Sequence, residues 1–282
     1  MKIEKKFWKN KKILITGHTG FKGGWLSVIL NLLGSKVSGF ALNPQGKNNF
    51  FNCTKIKKIF KYDFRHDITN INFLKNSIKK IKPEIIFHLA AQSSVIESFR
   101  NSRNTIMTNT IGTANILETV KYNKHVKCLF IITTDKVYQN YETKKYFDEN
   151  SKLGGDDIYS GSKACCEILA NSYRKSFFQN SKCRIVTVRA GNCFGGGDWT
   201  NYFNINANGN PPWGGGGFPG DGGSYAQARY PSAMGNADYP YAIWGEYTAE
   251  GVGYGGHPYY TYDEFEWGGG SFAYPLEVDQ LW

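Results

Sequence analysis

The sequence predicts an α/β fold built on a doubly wound parallel sheet. Three observations carry that prediction. Short apolar runs alternate with helical stretches from Ile13 to Val188. A glycine loop, Gly17-x-x-Gly20-x-x-Gly23, lies between the first run and the first helix. Strands separated by helices must pair in parallel, and a parallel sheet is covered on both faces.

The elements follow in order. Ile13 to Thr16 is a short apolar strand, and Trp25 to Leu33 reads as a helix ended by Gly34. Lys36 to Leu42 is the second strand. A third is expected within Ile56 to Phe64. Asn70 to Ile81 is helical and stops before Pro83, because proline cannot continue a helix. Glu84 to Leu89 is the fourth strand, Asn104 to Tyr122 a long helix, and Val126 to Thr133 the fifth strand. Ile158 to Phe178 is a helix and Arg184 to Val188 the sixth strand. The expected architecture is a Rossmann-like sheet. The two long helices carry Ile111, Ile116, Leu117, Ile168 and Leu169, and a homodimer paired through them is expected.

After Trp199 this grammar stops. Residues 201–282 contain 17 Gly and 11 Tyr with no period of 2 or 3.6, and no Lys follows Lys182. Two segments are therefore expected: 1–199, a dinucleotide-binding catalytic domain, and 200–282, of low complexity and disordered or poorly packed. Residues 1–200 carry a net charge of +19 and residues 201–282 one of −8. The scattered lysines read as a solvated surface that also attracts a nucleotide diphosphate, not as a nucleic-acid site. Six cysteines form no C-x-x-C pair, so reduced thiols in a cytoplasmic protein are expected. No apolar run approaches the roughly 18 residues of a membrane span.

Chemistry concentrates at three places. The glycines of the loop allow a tight turn and close approach of a pyrophosphate to a helix N-terminus. Gly17, Thr19, Gly20, Phe21, Lys22 and Gly23 form that cradle. No acid follows the second strand to hold the adenosine ribose, and Asn43 is the nearest polar residue, so NAD and NADP both stay open. Asp67 either accepts from the adenine amine or caps the next helix. In His88-Leu89-Ala90-Ala91-Gln92, small residues let a flat cofactor lie against Leu89, Ala90 and Ala91, and His88 reads as a packed strand residue. Asn109 is placed to hold a water or backbone group nearby. Tyr159 and Lys163 lie four apart on one helix face. An ammonium beside a phenol favours the phenolate, which can take a proton from a sugar hydroxyl. No metal-ligand spacing and no G-x-S-x-G elbow occur.

These motifs resemble the extended short-chain dehydrogenase/reductases, and among them most the CDP-glucose 4,6-dehydratases. Phe7-Trp8-Lys9, the Gly17 to Gly23 loop, His88 to Gln92, Thr133 to Tyr138, Tyr159 to Lys163, Arg189 to Asn192 and Gly195 to Trp199 carry the likeness. The resemblance implies NAD as cofactor and CDP-glucose as substrate, with Gln92 and Asn192 at the substrate. It implies that Tyr159 takes the 4-hydroxyl proton, that Lys163 holds the phenolate and nicotinamide ribose, and that Thr134 bonds the same oxygen. Asp135 would protonate the departing 6-hydroxyl, and Lys136 would act as, or position, the C5 base. A related epimerase or reductase, or a non-catalytic nucleotide-binding module, is compatible with the same motifs.

Overall fold

The computed structural model describes residues 4–46, 49–139, 147–191 and 193. The described residues build outward from strand β1 (Lys12–Thr16). Its Ile13, Leu14, Ile15 and Thr16 are all fully buried. Ile13 and Ile15 pack in one cluster with Leu30 and Val37, whereas Leu14 joins Phe40, Leu74, Ile86, Ile116, Leu117 and Leu129 in another. The strand's two-residue period thus sends alternate side chains into two cores, one on each face of the sheet.

In chain order, α1 (Lys5–Trp8) precedes β1, and α2 (Phe21–Leu32) returns the chain to β2 (Lys36–Ala41). A short α3 (Phe50–Cys53) and a 3-10 turn (Ile56–Ile59) lead to β3 (Asp63–Arg65). Then come α4 (Ile71–Ile81), β4 (Ile85–His88), α5 (Val95–Arg100) and α6 (Ser102–Ile106). A π-helical segment (Met107–Ile111) joins α6 to α7 (Gly112–Lys121), followed by β5 (Cys128–Thr134), α8 (Ile158–Phe177) and β6 (Arg184–Ala190). All strand pairs are parallel, in the order β3-β2-β1-β4-β5-β6. The chain leaves β1 toward β2 and β3, then restarts on its other side with β4. Ligands of such sheets bind where that reversal opens a crevice, at the carboxyl ends of β1 and β4.

Local signals explain the ends. Asn70 caps α4 by accepting from the Phe73 N–H at 3.3 Å, and Lys82 ends it in the left-handed region just before Pro83. Asp157 caps α8, accepting from the Ser160 N–H at 2.9 Å. Three expectations need correction. The third strand is only Asp63–Arg65. Ile56 is buried instead with Phe50 and Phe51, against Phe21 and Val28 of α2, and this sideways burial makes a 3-10 turn. The helix expected from Asn104 begins at Ser102 and is interrupted by the π segment. Of the five apolar residues expected to meet a second copy, Ile116 and Leu117 are spent in the chain's own core and Leu169 packs against it. Ile111 and Ile168 remain exposed, together with Ile106 and Met107. Among the described residues no helix is long and apolar enough to cross a membrane. The six cysteines are free thiols. Residues 200–282 and Asn192 lie outside the described residues.

Candidate active site

The glycine loop closes on itself at the switch point. Gly17 has φ +75°, and a Cβ there would sit 2.8 Å from the Ala90 nitrogen, so the loop passes directly over the start of the β4 loop. A Cβ at Gly23 would collide with the Gly17 carbonyl, which lets α2 start tight against the turn. At Gly20 a Cβ would meet only the Gly17 carbonyl, at 3.4 Å. Gly20 is the N-cap of α2 and offers no side-chain acceptor, so the first-turn amides of Phe21, Lys22 and Gly23 are left for an outside anion. Thr19 Oγ1 donates to the Leu42 carbonyl at 3.1 Å, tying the loop to the end of β2. Open first-turn amides and a glycine-lined approach fit a dinucleotide pyrophosphate.

His18 inside this loop was not expected to matter. It is buried flat on Gly39 of β2, its Nε2 2.9 Å from Asp63 Oδ1. Burial drives its pKa down, and the bond to Asp63 only partly opposes this. Burial also works against the Asp63 charge, but bonds from His18 and Arg65 outweigh it and hold the carboxyl below its usual range. Arg65 donates to Asp63 Oδ2 at 2.8 Å and to the Leu42 carbonyl at 3.3 Å, with Phe51 under its guanidinium at 4.5 Å. A cation therefore occupies the end of β2, where the missing acid was sought. Asp67 does not cap α4. Its Oδ1 accepts from the N–H and hydroxyl of Thr69 at 2.8 and 2.7 Å in a tight turn after β3.

At the end of β4, His88 is buried between two hydroxyls, with Nδ1 2.8 Å from Thr16 Oγ1 and Nε2 3.2 Å from Thr113 Oγ1. Burial, with the nearby charge of Lys163, lowers its pKa to about 3, so the ring is neutral at pH 7. The next residues, Leu89, Ala90 and Ala91, are partly buried. Asn109 is turned inward from the π segment and holds Gln92 by both backbone groups, accepting at 2.8 Å and donating at 3.0 Å. π segments recur at functional sites because the extra residue re-aims a side chain. The Gln92 amide is committed to Ser94 and Thr105, so any substrate contact from it requires exchanging those bonds.

The end of β5 meets the first turns of α8. Thr134 is buried and donates to Asp135 Oδ1 at 3.0 Å, and Lys136 Nζ donates to the same oxygen at 3.2 Å. Asp135 and Lys136 thus form a half-exposed ion pair beside Thr134, and Gly191 flanks the Asp135 carboxylate. Tyr159 and Lys163 are both buried on the face of α8 that covers β5. Lys163 Nζ donates to the Ile132 carbonyl at 3.1 Å. Burial lowers its pKa, Lys22 adds to that, and Glu167 opposes it. Ser162 donates to the Tyr159 carbonyl at 2.7 Å and accepts from Asn109 at 2.8 Å, which locks the tyrosine's turn to the π segment. One turn beyond Lys163, buried Glu167 accepts from Thr133 Oγ1 at 2.5 Å and pairs with Arg189 at 3.3 Å. Glu167 was missed. Its place four residues after Lys163 on the same face was the available signal.

A tyrosine and lysine placed this way, beside a switch-point loop able to take a pyrophosphate, belong to the extended short-chain dehydrogenase/reductases. Within that class, the chain belongs to the GDP-mannose 4,6 dehydratase family, whose profile matches residues 14–194. It is 42% identical over 202 residues to CDP-glucose 4,6-dehydratase of Salmonella typhimurium, covering 70% of this chain and 56% of that one. It is 33% identical over 198 residues to dTDP-D-glucose 4,6-dehydratase of Dictyostelium discoideum, covering 66% and 44%. Among solved structures, dTDP-glucose 4,6-dehydratase of Bacillus anthracis in complex with NAD superposes with a TM-score of 0.55. It is 27% identical and is matched over 66% of this chain and 56% of its own. The chain spans about half the length of the curated relatives it matches.

Proposed function

We propose that the chain is an NAD-dependent nucleotide-sugar 4,6-dehydratase acting on CDP-glucose. The observation that carries the reading is the Thr134-Asp135-Lys136 turn at the end of β5, set against the α8 face that holds Tyr159 and Lys163. The likeness to the Salmonella dehydratase supports the choice of sugar nucleotide. In this reading residues 1–199 are the dinucleotide-binding catalytic unit and 200–282 a separate segment with no recognised motif.

Held by the Gly17–Gly23 loop, NAD would supply the hydride-transfer chemistry that links C4 and C6 of the hexose. Tyr159 takes the proton of the 4-hydroxyl, and the buried Lys163, anchored on Ile132, stabilises the phenolate. Thr134 hydrogen-bonds the same sugar oxygen. The resulting C4 ketone acidifies the proton at C5. Lys136 removes or positions the group that removes that proton, while Asp135 delivers one to the departing 6-hydroxyl. In the ion pair between them Lys136 carries the proton, so that proton must pass from Lys136 to Asp135 before the two act as base and acid. Gln92 and Asn192 are assigned to the sugar nucleotide, and Asp67 to the adenine end of the cofactor. A homodimer formed through α6, the π segment and α8 would cover Ile106, Met107, Ile111 and Ile168. A cytoplasmic location accords with six free thiols.

Incubation of the full chain with CDP-glucose and NAD tests the reading. Loss of one water from the sugar and appearance of a 4-keto group are expected. An epimer that keeps its 6-hydroxyl would reassign the chain to the epimerases. No sugar chemistry at all, with NAD bound, would leave a binding module.

A further inference from the structure

The backbone from Leu89 to Gln92 is gripped from below by one continuous chain of hydrogen bonds. The Ala90 N–H donates to Thr16 Oγ1 at 3.1 Å. Thr16 Oγ1 lies 2.8 Å from His88 Nδ1, and His88 Nε2 lies 3.2 Å from Thr113 Oγ1. Thr113 donates to Cys166 Sγ at 3.3 Å, and the thiol in turn lies 3.2 Å from both the Asn109 and the Ser162 carbonyls. The Asn109 side chain then returns to the same backbone at Gln92. Thr16, His88, Thr113, Cys166 and Asn109 come from β1, β4, α7, α8 and the π segment, and all five are buried.

Donor and acceptor capacity fixes the direction of this chain. Carbonyls only accept, so the thiol donates to Asn109 or to Ser162, and in either case its sulfur is left to accept from Thr113. The Thr113 oxygen can then accept from His88 Nε2–H. At the other end, the Ala90 N–H already donates to Thr16. If His88 Nδ1 were also protonated, the Thr16 hydroxyl proton would have no acceptor among the described residues. Thr16 must therefore donate to an unprotonated Nδ1, and the proton must sit on Nε2.

We propose that His88 is a positioning residue, held as the neutral Nε2-protonated tautomer, whose one-way chain from Ala90 to Cys166 sets the Leu89–Gln92 backbone for the nicotinamide half of the cofactor. The inference rests on the dinucleotide reading above. Burial and the charge of Lys163 keep the ring neutral, in agreement with the geometry. His88 touches no reacting atom. Its effect passes through the loop that the cofactor lies on.

Two measurements on the full chain decide it. In 15N NMR, with the His88 signals identified by their loss in His88→Asn, an unprotonated Nδ1 and a protonated Nε2 are expected from about pH 5 to about pH 8. An imidazolium or the opposite tautomer would overturn the proposal. By calorimetry, Thr16→Val and Thr113→Val keep shape and remove one hydroxyl each, and each should weaken NAD binding about tenfold. Thr113→Ser should retain wild-type affinity, which separates the hydrogen bond from packing. Folded valine variants that bind NAD within about twofold of wild type would refute the positioning role alone. No NAD binding by the wild-type chain would instead sink the dinucleotide reading and the positioning role with it, and the NMR result would still decide the tautomer.

Discussion

Lys163 and Tyr159 are committed by burial to act from fixed places. An ammonium pinned on the Ile132 carbonyl cannot swing away when its neighbour ionises. Tyr159→Phe should therefore lower the rate of cofactor reduction by about 10²–10⁴, read in a single turnover with CDP-glucose. Lys136→Ala should behave differently. Its C4 oxidation should persist, while exchange of solvent deuterium into C5 should cease. Intact turnover by Lys136→Ala would move the base role to Asp135. The buried histidines set an acid limit on stability. His88 has a folded pKa of about 3 against about 6.5 in the unfolded chain. Above pH 6.5 it is neutral in both states and contributes no pH dependence. Between those values the unfolded chain binds the extra proton, so stability falls as pH falls, by at most about 1.4 kcal/mol per pH unit. His18, also shifted down by burial, works in the same direction. Urea midpoints measured from pH 7 down to about pH 4 should show this slope, and His88→Asn should flatten it by close to one proton. Asp63 acts lower still. Its depressed pKa gives stability that is present above the unfolded value near 3.9 and lost below it.

At the scale of elements, the glycine loop separates binding from folding. A methyl at Gly23 would push α2 off the Gly17 carbonyl, and one at Gly17 would meet the Ala90 backbone in a left-handed conformation. Gly23→Ala and Gly17→Ala should each cost about 2 kcal/mol or more of stability. Gly20→Ala meets only ordinary contact at 3.4 Å. It should leave the melting temperature nearly unchanged while obstructing the approach to the first-turn amides. Calorimetry with NAD beside thermal melts checks the contrast. An equal loss of stability in all three would show that the loop serves packing alone. In the core, Leu14 is fully buried in the cluster that joins β1 to α4 and α7, and Leu14→Ala should cost about 2–5 kcal/mol by chemical denaturation.

At the scale of the whole molecule, α6, the π segment and α8 leave Ile106, Met107, Ile111 and Ile168 exposed at 38–54%. Side chains of that size, gathered on neighbouring helices, suit a symmetric contact. Sedimentation at tens of micromolar should show a dimer, and Ile111→Lys combined with Ile168→Lys should return it to a monomer. A wild-type chain that stays monomeric would count against the contact.

Local pattern was enough for the architecture. The alternation of apolar runs with helices and the Pro83 stop placed most elements to within a few residues, because each signal acts between near neighbours. The glycine loop and the Tyr159–Lys163 spacing were legible for the same reason. What sequence could not reach were contacts made across many residues. Nothing near Ile56 says that it turns sideways under α2 and leaves a three-residue β3. Nor does anything near Met107 say that a π segment turns Asn109 toward Gln92, or that Gln92 spends its amide on Ser94 and Thr105. Arg65, Glu167 and the His88 chain also became functional candidates only once distant strands and helices met. A hydrogen bond depends on distance and angle in space, and chain position fixes those only within a single turn of helix or a single strand. The fold class and the candidate Tyr159–Lys163 pair were properties of the sequence; the proposed tautomer of His88 and the grip on its loop depend on tertiary packing.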